Sequence, residues 1–255
     1  MSTTQIHPPT PSAPMPAVSS VSAPAVVSTT ARRQLHQVGG RRAWAVWGAA
    51  ASVYVLAIFY RTSLGVAGLV AADRFHITAA QLATFTVLQL AVYAGMQIPV
   101  GVLLDRFGAR RMLLIGLALM TAAQVAFALV DGYAGALAAR GLLGAGDAMV
   151  FVSVLRLVAV WFPARRVPLV SQATGQTGVI GSILATIPLA SAPRDYGWTP
   201  TFLVGASFSA LVLLLLLVLV KDSPWSGQPA EAIRVRTVLD SLRATWAMPG
   251  NRLGM

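Results

Sequence analysis

The chain has no cysteine and only eight acidic residues among 255. The first absence excludes disulfides, thiol nucleophiles and thiolate metal sites. The second is part of a wider poverty of charge. Charged residues make up 11% of the chain, where a soluble domain carries about 25%. Hydrophobic residues make up 56%, and the mean hydropathy is +0.70. Lipid rather than water is therefore expected to solvate much of the surface. The three histidines (His7, His36, His76) are far apart and form no ligand-spaced pair. No nucleophile elbow, phosphate-cradling glycine loop or metal-ligand cluster is present, so no enzyme, cofactor or metal site is expected.

What charge there is has one sign: the formal net charge is +11. A basic soluble protein would point to nucleic acid. Here the basic residues lie between long apolar runs, which points to loops on an anionic membrane surface and to no nucleic-acid partner. Uncharged stretches of 18, 28, 19, 27 and 25 residues lie at 43–60, 77–104, 112–130, 167–193 and 196–220. A further run at 133–162 is interrupted by charges. A helix needs about 20 apolar residues to cross the hydrocarbon core. The pattern predicts an all-α membrane protein with a six-transmembrane-helix bundle over 43–221.

With the N-terminus in the cytoplasm, fourteen Lys and Arg fall on the inner side and two, Arg74 and Arg194, on the outer. The positive-inside rule then orients both termini inward. Residues 1–42 hold six prolines and no acid, and are expected to form a disordered cytoplasmic tail. In 222–255, Val235, Val238, Leu239, Leu242 and Trp246 share one helical face, with Arg236 and Arg243 elsewhere. This predicts a cytoplasmic linker with an amphipathic helix on the inner membrane surface. The chain stops after Pro249-Gly250-Asn251-Arg252-Leu253-Gly254 with no finished element, so a longer protein is expected.

Between the second and third runs lies GVLLDRFGARR, residues 101–111. Gly108 can supply a positive-φ reversal. Asp105 can accept hydrogen bonds or pair with an arginine. Arg106, Arg110 and Arg111 hold the turn in the cytoplasm. From the residues alone, this is either a charged turn that fixes topology or a functional loop. The segment resembles the cytoplasmic loop between helices two and three of the major facilitator superfamily. That resemblance implies a twelve-helix carrier whose second half is missing here, and a gating role for Gly101, Asp105, Arg106, Gly108, Arg110 and Arg111.

The fourth run places Arg140, Asp147 and Arg156 within a membrane segment, where a charge costs on the order of 3 kcal/mol. Arg140 and Asp147, seven apart, share a helical face, with Gly144 between them. Arg156 lies near the inner end and can snorkel. By helical rise, Arg61 is about 27 Å along the first span, and Arg140 about 10 Å in from the outer side. The two arginines therefore fall at similar depth. Two arginines against one aspartate leave net positive charge in a low-dielectric region, which suits an anion. The alternative is that both snorkel or serve structure alone.

Arg61, and Arg140 followed by Gly144, Gly146 and Asp147 and then Trp161-Phe162-Pro163, resemble the anion:cation symporter branch of the same superfamily. The resemblance implies substrate binding by Arg61 and Arg140, proton coupling at Asp147, and a small anionic substrate carried with a proton. Three positions depart from the branch: Tyr60 in place of an acid, Thr199 after Gly197-Trp198, and Asp147 in place of the more frequent Glu. Tyr93 and Gln97 share a face with Gln89 and are candidate substrate contacts or interhelical hydrogen-bond partners. A bacterial plasma membrane is the expected location. A nitrate/nitrite or drug-efflux carrier of the same superfamily, and an inactive truncated membrane scaffold, are the alternatives.

Overall fold

A computed structural model describes residues 39–220. Of the expected tail at 1–42, residues 1–38 lie outside the described residues, as does the expected amphipathic linker, while Arg41 and Arg42 open the first helix. The described chain runs through five helices, α1 (Arg41–Phe75), α2 (Ala79–Leu129), α3 (Tyr133–Trp161), α4 (Val167–Asp195) and α5 (Trp198–Leu219), with a 3-10 turn at Ala164–Arg166. By length and composition α1, α2, α3 and α5 are able to cross a membrane. α4 is not in that group. Ser171, Gln172, Thr174, Gln176, Thr177 and Ser182 dilute its apolar content.

Short, well-defined turns separate the helices. α1 continues past the run that predicts it and stops at His76, whose φ of 50° puts it in the left-handed region. Its backbone N–H closes the helix onto the carbonyls of Ala72 and Asp73. α2 begins in a capping box: the Gln81 N–H donates to Thr78 Oγ1 (3.3 Å), and the Thr78 N–H to Gln81 Oε1 (2.9 Å). Gly197 precedes α5 with φ 89°.

α2 is a bent element. Gly108 has φ 80° and ψ 161°, a conformation that only glycine adopts without strain, and it divides α2 into arms at 79–107 and 109–129. The arms lie side by side. The Phe85 and Phe127 rings are 6.3 Å apart, and α3 meets Gln89 with Gly144 and Gly116 with Gly146. In a straight helix Gln89 and Gly116 would be about 40 Å apart. Here they face opposite sides of a single turn of α3.

Close approach is bought with small residues. A Cβ on Gly146 would sit 2.7 Å from the Gly116 carbonyl oxygen, and one on Gly116 would sit 2.8 Å from the Gly146 carbonyl. A Cβ on Gly144 would collide with the Gln89 carbonyl, and one on Gly181 with the Val55 carbonyl. α1 buries an alanine-rich face that includes Ala43, Ala50, Ala57 and Ala71. Lipid is as apolar as the helix surfaces, so tight backbone packing of this kind, rather than water exclusion, drives helix association.

At the end of the bundle away from Gly108, Phe75, Phe85, Phe127, Trp198 and Phe202 form an aromatic cluster. The Trp198 indole N–H donates to the Phe127 carbonyl (3.1 Å), and the Thr199 hydroxyl to that of Ala128 (2.9 Å). Thr199 therefore ties α5 to the end of α2.

Gly144→Ala, Gly146→Ala and Gly181→Ala are expected to destabilise the protein by ~1–3 kcal/mol each through overpacking. Gly175→Ala, whose Cβ would meet nothing within 4 Å, should be neutral or stabilising. Thermal unfolding of the detergent-purified variants checks the contrast.

Candidate functional site

The central side chains come from α1, α3 and the first arm of α2. Arg61 on α1 donates from both Nε (3.0 Å) and Nη2 (2.7 Å) to Asp147 Oδ2 on α3. The Asp147 side chain is 3% exposed and that of Arg61 is 32% exposed. The carboxylate is thus enclosed, while the guanidinium has an open side. The Arg61 guanidinium carbon lies 4.7 Å from the centroid of the Tyr93 ring, which adds a cation–π contact. Gln97, one turn further along the arm, donates from Nε2 to the Tyr93 carbonyl (3.3 Å). The Tyr54 ring stacks at a tilt on Phe151, 5.0 Å between centroids.

Arg140 lies at the same level as Arg61: its Nη1 donates to the carbonyl of Tyr60, the residue before Arg61 (3.1 Å). It does not share Asp147. Arg140 is 1% exposed, and its guanidinium carbon lies 4.1 Å from the centroid of the Phe127 ring. The charges predicted as a group of three thus resolve into an ion pair with an open side and a separate, enclosed arginine.

The loop residues gather at the Gly108 end. Asp105 Oδ1 lies 4.0 Å from Arg156 Nη2, with both side chains partly exposed. Arg156, which the sequence offers as a snorkelling residue, therefore faces the loop. The sequence places both residues at one end of the bundle but carries no sign of their pairing. Arg110 Nη2 donates to the Leu217 carbonyl near the end of α5 (2.9 Å). Arg106 lies over Phe107, Arg111 is exposed, and Gly101 has open space beside it. At the same end, the Trp47 indole donates to Thr174 Oγ1 (2.9 Å), joining α1 to α4, which residue spacing does not reveal.

The opposite end carries a second ion pair, Arg74 Nη2 to Asp131 Oδ1 at 2.8 Å. The Arg74 guanidinium also lies 5.9 Å from the Trp198 ring. A hydrogen bond from α1 to α5 joins Tyr60 Oη and Ser209 Oγ, and Tyr60 Oη also donates to the Gly205 carbonyl (2.7 Å).

Known proteins are similar to this chain. The chain is 26% identical over 164 residues to an uncharacterized transporter, YybO, of Bacillus subtilis, covering 64% of this chain and 38% of that one. It is 34% identical over 128 residues to the multidrug resistance protein Stp of Mycobacterium tuberculosis (48% and 23%). It is 25% identical over 183 residues to a probable sulfoacetate transporter, SauU, of Cupriavidus necator (70% and 42%). It spans well under half the length of each of these relatives. A crystal structure of a bacterial homolog of the human lysosomal transporter Spinster, inward-facing and unoccupied, shares the fold. Its TM-score is 0.64 at 16% identity, over 81% of this chain and 50% of that one. The family model for the Major Facilitator Superfamily matches residues 17–250, and with membrane-length helices and relatives named as transporters, the chain belongs to that superfamily of membrane transport proteins.

Proposed function

We propose that this bundle is one half of a secondary active carrier that moves a small organic anion together with a proton by alternating access. Six crossings are counted by taking the two arms of α2 separately and including α4. The N-terminus and the Gly108 end lie in the cytoplasm by the balance of basic residues. A second six-helix half completes the path, and substrate binds between the halves.

The observation that carries the reading is the Arg61–Asp147 pair, an enclosed carboxylate whose arginine keeps one open side. An incoming carboxylate or sulfonate competes for the Arg61 guanidinium, whose fork suits such groups. Tyr93 and Gln97 lie beside it as further contacts. Asp147 then loses its partner in a low-dielectric site, where an unpaired charge costs several kcal/mol, and a proton relieves that cost. Anion and proton thereby enter together. Arg140 stands behind the pair, held by the Tyr60 carbonyl and too enclosed to reach the substrate. The printed name of the Cupriavidus relative, a sulfoacetate transporter, fits an anionic cargo.

A second reading, drug efflux, is favoured by a different feature. A cavity of 590 Å³ between α1, α4 and α5 is lined almost wholly by apolar groups such as Leu56, Phe59, Leu184, Val204 and Phe208. Its size suits a drug-sized apolar molecule. Three relatives are named for resistance or drug efflux.

Proton-gradient-driven uptake of labelled sugar acids and sulfonates by proteoliposomes of the full-length protein separates the readings. Arg61→Ala is expected to reduce uptake at least tenfold. Asp147→Asn should retain anion exchange while losing stimulation by an inward proton gradient. Wild-type uptake in both variants would refute the site. Resistance to lipophilic drugs without anion uptake would favour the efflux reading.

The Gly108-end loop acts as the latch between the halves, with Arg156 positioning Asp105. Asp105→Asn and Arg156→Ala should each slow turnover several-fold and leave the substrate dissociation constant within about twofold. Equal losses in binding and rate would assign these residues to the substrate site instead.

A further inference from the structure

Asp147 is the one buried acid among the described residues, and Arg61 holds it. Arg140 is buried without a carboxylate partner. Its Nη1 has the Tyr60 carbonyl, but its Nε and Nη2 are enclosed and have no hydrogen-bond partner. Within the interior of the bundle, Gln89 Nε2 on the first arm of α2 and Gln124 Nε2 on the second share this condition. Both glutamines are at most 3% exposed.

The three residues fall in one layer of the bundle. Gln89 is the residue against which Gly144 packs, and Gly144 is about one turn from Arg140. Gln124 is about one turn from Phe127, whose ring the Arg140 guanidinium covers. The contact of Phe85 with Phe127 sets Gln89 across from the turn that holds Gln124. The layer between the two arms of α2 and α3 therefore holds four unmet N–H donors and one uncompensated positive charge.

The character of that lining selects its occupant. A water molecule would accept from two donors but bring two hydrogens of its own, and it leaves the charge in place. A small anion accepts from all the donors and neutralises the guanidinium. An unpaired buried guanidinium is costly in a low-dielectric interior, whereas a paired one is tolerated. The organic substrate is a different matter, because Arg140 is enclosed whereas Arg61 has the open side.

We propose that Arg140, Gln89 and Gln124 form an interior site for a small inorganic monovalent anion of the halide class, which serves as the standing counter-ion of Arg140. It lies apart from the Arg61–Asp147 pair and does not depend on which solute the carrier moves. The bound ion would tie α3 to both arms of α2.

The test uses the full-length protein purified in detergent, with chloride, bromide or the bulky anion gluconate at constant ionic strength. Chloride and bromide are expected to raise the unfolding temperature saturably relative to gluconate. Crystals grown in bromide should show an anomalous peak within hydrogen-bonding distance of the Arg140 guanidinium. Gln89→Leu with Gln124→Leu should raise the half-saturating halide concentration at least tenfold. Arg61→Ala with Asp147→Asn, which removes the proposed transport site, should leave it unchanged. Where Arg140→Gln does not fold, the glutamine variants keep the test open. Unfolding that is indifferent to halide, with no bromide peak, would overturn the proposal. It would mean that the glutamine amides turn their oxygens to Arg140 and satisfy it without an ion.

Discussion

Two carbonyls govern the geometry of this molecule: that of Gln89 against Gly144, and that of Gly116 against Gly146. They set α3 in backbone contact with both arms of α2 at once. In a lipid environment there is no hydrophobic force to pull helices together, so the closeness of the backbones must supply the attraction. Asp147 directly follows Gly146 and Arg140 precedes Gly144 by about one turn. The residues that permit the packing are therefore interleaved with the residues that carry charge. A side chain in place of either glycine would push α3 outward and take both charges with it.

The ion pair depends on that placement and also limits it. An exposed Arg–Asp pair contributes little to stability. This one has an enclosed acid, so its two members are costly to separate unless something replaces one of them. A site with that property suits exchange of partners. Arg140 has no such freedom: Tyr60, Phe127 and the surrounding helices enclose it.

Much of the architecture is legible in the residues, because apolar run length and charge placement are direct consequences of bilayer thickness. The turn at Gly108 and the helical character of the runs follow from local rules. α4 is harder to read, because its Ser, Thr and Gln residues lower its hydropathy even though no charge interrupts it. The charged residues within the spans are legible in the sequence, but their pairings are not. Helical rise puts Arg61 and Arg140 at one depth, which agrees with the contact of Arg140 with the Tyr60 carbonyl. Rise cannot say which arginine faces Asp147, because that depends on the rotation of α1 about its own axis. The Arg156–Asp105 approach and the Trp47–Thr174 bond are likewise contacts between helices, for which one sequence carries no period to read.

Gly108 has a mechanical meaning beyond its turn. Helical residues run right up to it on both sides, with no slack peptide between the arms. The two arms and the α3 face clasped between them amount to a bracket with a single rigid corner. A torque applied to one arm is delivered to the other rather than absorbed in a loop. Such a corner couples the two arms directly, with no loop between them to take up a displacement.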